Sequence, residues 1–159
     1  MRLIGCGLIF LCGLLLGLGR KLTLDRQVKQ WQQMLLFLQL AQEELENSAK
    51  TSQEILLTLR EPCRDLDFLQ NYFSAEGSVQ QRLLLAAEGL NDKKLQAFAL
   101  RFAVRFGTSS TPVQVESLLA LQQQTASELQ RLKEQNTQQG HLSLTLGLLA
   151  GGGAAILLL

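Results

Sequence analysis

Two prolines, one tryptophan, one tyrosine, one histidine and three cysteines are all that this chain of 159 residues carries of those types. With only Pro62 and Pro112 to interrupt it, the backbone is free to form long helices, since proline is the residue that removes an amide donor and clashes with the preceding turn. Cys6, Cys12 and Cys63 have neither a disulfide framework nor a metal-ligand spacing. Cys6 and Cys12 read as small apolar packing residues, and Cys63 as a free thiol in a reducing compartment. The one histidine, His141, has no Glu-x-x-His or His-Glu-x-x-His setting, and there is neither a Gly-rich phosphate loop nor a nucleophile elbow. No enzyme activity, cofactor or metal is therefore expected. A surplus of one charge is missing as well: fifteen Lys and Arg face fourteen Asp and Glu, a formal net charge of +1. Nucleic acid is not an expected partner, because a basic patch or stripe is its usual footprint. Strand-like alternation is absent over any useful length, which leaves an all-α fold.

What the chain does have is apolar length at both ends. Residues 142–159 contain no charged side chain, and Leu3 to Gly19 is equally apolar. Each makes a helix of roughly 26 Å, close to the hydrocarbon thickness of about 30 Å. Residues 1–19 and 142–159 are thus expected to be transmembrane helices, with the lipid bilayer as a partner. Between them, residues 20–141 hold fourteen of the fifteen basic residues and all fourteen acids, enough for one modest water-facing helical domain. Arg20, Lys21, Arg26 and Lys29 follow the first span and Arg131 and Lys133 precede the second, whereas only Arg2 lies ahead of the first. The positive-inside rule then places the middle domain in the cytosol and both termini outside. The competing reading is a cleaved signal peptide, for Gly17-Leu18-Gly19 has the small-x-small pattern of a cleavage site. Both spans also contain a Gly-x-x-x-Gly pattern, Gly13 with Gly17 and Gly147 with Gly151, which lets helix backbones approach in lipid.

Within the middle, the expected architecture is a bundle of about five to six helices. A long first helix runs from Leu24 to about Asn47, continuous with the first span, with Val28, Trp31, Leu35, Leu38 and Leu45 as its stripe and Met34, Phe37, Leu40 and Ala41 widening it. Thr51-Ser52-Gln53-Glu54 has capping-box spacing, so a second helix starts there and stops at Pro62. A third, with Asp65 near its start, buries Leu66, Leu69, Tyr72 and Phe73 and ends at Gly77. The run Leu83 to Ala87 is apolar on nearly all sides, as a central helix would be. Asn91 caps a fifth helix with a ridge of Leu95, Phe98, Phe102 and Phe106, read as core. Gly107 closes it, and Pro112 is the first position of a last helix bearing Val115, Leu118, Leu119, Leu121, Leu129 and Leu132, with Gly140 as a hinge before the second span. Glu43, Glu44 and Glu46 occupy consecutive helical positions that point different ways, a solvated face rather than a cation site.

Taken together, these segments resemble the stage III sporulation protein AB family over the whole chain. The resemblance rests on Trp31 to Gln39 leading to Glu43-Glu44-Leu45 and Thr51, on the turn Phe106-Gly107-Thr108-Ser109-Ser110 with Gln114 and Leu118 downstream, and on the ending Leu146 to Gly152 and Ile156 to Leu159. Ser110 stands where the family usually has Asp, Phe106 where it has Leu, and Ser52 where it has Pro. Serine still caps a helix, but a contact specific to that Asp is in doubt.

What the resemblance implies is a non-enzymatic membrane platform component of the sporulation channel between mother cell and forespore. Its domain would be similar to that of the type II secretion inner-membrane platform protein. Implied partners are the cognate stage III sporulation ATPase and other channel-complex membrane proteins, and a homo-oligomer is compatible with it. The polar faces at Gln80, Gln81 and Arg82 and at Lys93, Lys94 and Arg101 are the candidate docking residues. A general double-anchored membrane scaffold or assembly factor unrelated to sporulation would share every physical feature derived above.

Overall fold

The computed structural model describes the backbone of residues 2–48, 50–108 and 110–157, and the side chains of residue 19 and of residues 21–48, 50–108 and 110–138. The regular structure among the described residues is all helical, with no strand. In chain order the elements are α1 (Arg2–Asn47), α2 (Ser52–Leu59), α3 (Asp67–Ser74), α4 (Val79–Glu88), α5 (Lys93–Arg105) and α6 (Thr111–Leu157). The expected count of helices holds.

The chain divides into two compact units. One, Lys29–Leu129, contains the four short helices together with the adjoining parts of α1 and α6; the other comprises Met1–Val28 with Gln130–Leu159. In the second unit, Asn136 Nδ2 donates to Asp25 Oδ1 at 2.7 Å, which joins the two long helices. Among the described residues no helix is long and apolar enough to cross a membrane. The two expected spans, with Gly13, Gly17, Gly147, Gly151 and His141, fall almost entirely on side chains outside the described residues. Their described backbone, residues 2–19 and 142–157, is helical, and α6 passes through Gly140 without the expected hinge.

The core of the Lys29–Leu129 unit is aromatic. Phe37 of α1, Phe68 of α3 and Phe102 of α5 meet edge to face with ring centroids 5.0 to 6.0 Å apart, and Phe106 stacks on Phe102 at 4.6 Å. Such pairs add about 0.5–1.5 kcal/mol each beyond the area they bury. The α1 stripe lies slightly to one side of the expected one: Trp31, Met34, Phe37, Leu38 and Ala41 are fully enclosed, while Val28, Leu35 and Leu45 are only partly covered. Spacings of three and four fit both sets, so periodicity alone leaves the centre of the stripe open by one residue.

Further corrections follow the same logic. Phe68, not Phe73, completes the buried face of α3 with Leu66, Leu69 and Tyr72. Helix α4 packs on α3 and α5 but is one-sided, since Leu83, Ala86 and Ala87 are buried and Leu85 is 52% exposed. Helix α5 is capped by Asp92, whose carboxylate accepts from the amides of Lys94 and Leu95; Asn91 precedes it. In α6, Leu119 is 43% exposed, and the buried positions are shared with Gln114, Ser117 and Thr125. These polar residues are at helical spacing with Leu118 and Leu121, and a count of apolar residues alone cannot place them in a core.

Candidate docking surface

Of the residues expected to dock a partner, most are engaged inside the bundle. Gln80 Nε2 donates to the carbonyl of Ala103, tying α4 to α5. Gln81 is the reciprocal member of a capping box: Ser78 Oγ accepts from its amide, and its own Oε1 accepts from the Ser78 amide at 3.1 Å. Arg82 Nε donates to the Tyr72 carbonyl at 3.2 Å, and its guanidinium lies 4.2 Å from the centroid of the Tyr72 ring. These three side chains hold α4 in place, so a charge reversal at Arg82 would disturb the fold before it disturbed a partner.

On α5 the picture is mixed. Lys94 pairs with Glu128 of α6 at 3.2 Å. Arg101 donates to Gln124 Oε1 at 3.2 Å and covers the Phe98 ring at 5.5 Å. Lys93 is exposed. Lys94 and Arg101, seven residues apart, reach α6 while remaining exposed, and Lys93 is the member of the α5 set without a tie to another element.

A second surface, missed by sequence reasoning, forms where α2 turns into α3. Pro62 ends the helical geometry, and a run of turns from Arg60 to Asp65 wraps back onto α1, where Lys29 Nζ meets Asp65 Oδ2 at 2.8 Å. Gln30 fastens the start of α3 by donating to the Asp65 carbonyl and accepting from the Asp67 amide. This Lys29 partnership, with the hydrogen bond foremost, holds the Asp65 carboxyl below its ordinary range. The turn and α3 enclose an open groove of about 480 Å³ lined by Arg60, Glu61, Arg64, Leu69, Gln70 and Phe73. The Arg60 guanidinium lies 4.9 Å from the centroid of the Phe73 ring. The only sequence signal for it is two arginines astride a proline, a pattern too short to stand out.

Redox or nucleophilic chemistry has no support at Cys63. The thiol is fully enclosed, and burial pushes it up to about 11, so the reactive thiolate is scarce. Among the described residues no group of His, Cys, Asp and Glu is placed to hold a metal ion.

The class this geometry defines is an all-α bundle to which the first and last helices contribute only part of their length. No protein-family model, no curated protein and no solved structure matches the chain.

Proposed function

We propose that the protein is a non-enzymatic, membrane-anchored platform of the stage III sporulation protein AB kind, which holds its helical unit toward the cytosol to dock a secretion-type ATPase. The reading rests on the sequence resemblance. The observation that carries it is the continuity of α1 and α6, 46 and 47 residues long, each of which starts or ends in a terminal apolar stretch and contributes to the bundle core. In this reading residues 1–19 and 142–159 are the membrane helices, and the basic residues beside them keep the bundle on the cytosolic side.

Capture of the full-length protein from membranes of sporulating cells tests this directly. The adjacent-encoded ATPase is expected to co-purify, and deletion of the protein is expected to block sporulation. Loss of neither spore formation nor ATPase recruitment would favour the general scaffold. Lys93→Glu is the suitable docking variant, since Lys93, unlike Arg82 or Lys94, has no internal contact to lose.

Sidedness needs its own reporter. Cys63 is enclosed and would resist an impermeant thiol reagent on either side of the membrane. Glu76→Cys, in the exposed connection between α3 and α4, is the better position. Protection in intact protoplasts and labelling after lysis is the expected result; labelling before lysis would instead support the signal-peptide reading.

A further inference from the structure

The groove between the α2–α3 turn and α3 carries an unusual balance of hydrogen-bonding groups. Gln70 Nε2 is already used on the Arg64 carbonyl at 2.8 Å, and Ser74 Oγ on the Gln70 carbonyl at 2.9 Å. The donors left over are the guanidinium N–H groups of Arg60 and Arg64. Arg60 has no carboxylate partner among the described residues, and the nearest for Arg64 is Asp65 at 4.0 Å, itself committed to Lys29 at 2.8 Å. A guanidinium presents five donors in a planar fork, matched best by an acceptor-only carboxylate. The Arg60 guanidinium lies 4.9 Å from the centroid of the Phe73 ring, a cation–π distance that favours keeping the charge beside the groove. Phe73 is partly exposed above the buried Leu69 and offers an apolar contact beside the charges.

We propose that this groove receives an acidic peptide segment of a partner protein, its carboxylates held by Arg60 and Arg64 and an apolar side chain laid on Phe73. The inference goes beyond the platform reading and does not require the partner to be an ATPase. A second copy of the chain is the competing occupant, since exposed acids such as Glu76, Glu88 and Glu116 lie on several elements; self-association that Arg60→Gln/Arg64→Gln abolishes would overturn the peptide reading in its favour. Glu61, on the rim, repels a ligand carboxylate placed next to it and so limits where the acids of the segment can sit.

The test uses the full chain in a non-ionic detergent and, as probe, a rhodamine-labelled dodecapeptide rich in Glu with Leu at every fourth position, followed by fluorescence anisotropy. Binding that weakens with added salt is expected, and Arg60→Gln/Arg64→Gln should lose about tenfold in affinity, in line with two charge-assisted contacts on an open surface. Lys21→Gln/Lys133→Gln, with the same change in net charge, should stay within about twofold if the effect is local. Glu61→Gln should bind the probe more tightly. Far-ultraviolet circular dichroism establishes that each variant is folded, as exposed arginines allow. The proposal is overturned if the wild type does not bind the probe, if the arginine pair can be removed with no more effect than the lysine pair, or if a Gln-for-Glu version of the peptide binds equally. It is also overturned if short-chain phosphatidylglycerol displaces the probe more effectively than unlabelled peptide does, since the groove would then be a lipid site.

Discussion

Cys63 shows how one residue's surroundings set its chemistry. The thiol has no exposure, and desolvation of the thiolate raises it to about 11 from the ordinary 9.0. At pH 8, Cys63 is expected to react with an aromatic disulfide reagent only on unfolding, so that labelling in guanidinium should be complete while native labelling is slow; rapid native labelling would show that the turn opens. The sign of the pH effect also follows. A group that binds its proton more tightly when folded leaves stability untouched below pH 9 and withdraws it as pH rises from the unfolded value toward the folded one. The sequence reading identified this residue as a free thiol but had no means of telling a buried one from a reactive one. Its reading of the Phe ridge fared similarly. Phe102 and Phe106 are core, as the four-residue spacing predicts, while Phe98 stays partly exposed, packed edge to face against Trp31 at 5.2 Å and covered by Arg101.

At the scale of elements, local chemistry written in two or three residues was the most legible part of the chain. The capping box at Thr51 is present as its spacing predicts: the Thr51 amide donates to Glu54 Oε2 at 2.7 Å, and Thr51 Oγ1 accepts from the Glu54 amide. The bond from the Thr51 amide foremost, and after it the Thr51 hydroxyl donating to Glu54 Oε2 at 2.9 Å, hold the Glu54 carboxyl below its ordinary 4.5. A depressed carboxyl contributes stability that is present above its unfolded value and lost as pH falls through its folded one. Glu54→Gln should therefore flatten the drop in urea midpoint between pH 5 and pH 3 (about the unfolded carboxylate range) without changing the fold. An unchanged pH profile would mean that the box adds nothing. Gly107 is a second local device, for its φ is +78° and a Cβ there would come within 2.7 Å of Ser52 Oγ. Gly107→Ala should cost about 1–3 kcal/mol by denaturant unfolding, and adding Ser52→Ala should recover the steric part alone. Less legible were the caps of α3 and α5. Helix α3 has Leu66 as its N-cap, with no side-chain cap, and is held instead by Gln30 from α1, and such a long-range tie leaves no local signature.

For the whole molecule, the all-helical class and the number of helices were legible because scarce proline and helical periodicity run the length of the chain. The division of buried from exposed faces in α4 and α6 was not, since it depends on which neighbours arrive. In α6, Gln122 Nε2 donates to the Leu38 carbonyl at 3.1 Å and to Gln42 Oε1 at 2.8 Å, and Arg105 donates to Ser117 Oγ at 2.7 Å. Polar residues thus join the bundle through partners some eighty and twelve positions away, respectively. These ties and the aromatic core all lie within Lys29–Leu129. That unit is long enough to bury its own core, near the size at which single domains fold alone. A chain of residues 29–129 is therefore expected to be helical without detergent and to unfold in one cooperative urea transition with matching circular dichroism and Trp31 fluorescence. Coincident curves would show that the terminal segments have no part in building the bundle. Separate curves, or no transition, would mean that the outer parts of α1 and α6 are needed for folding. In that case truncation would remove the surface through loss of the bundle itself, and only point variants such as Lys93→Glu would report on it.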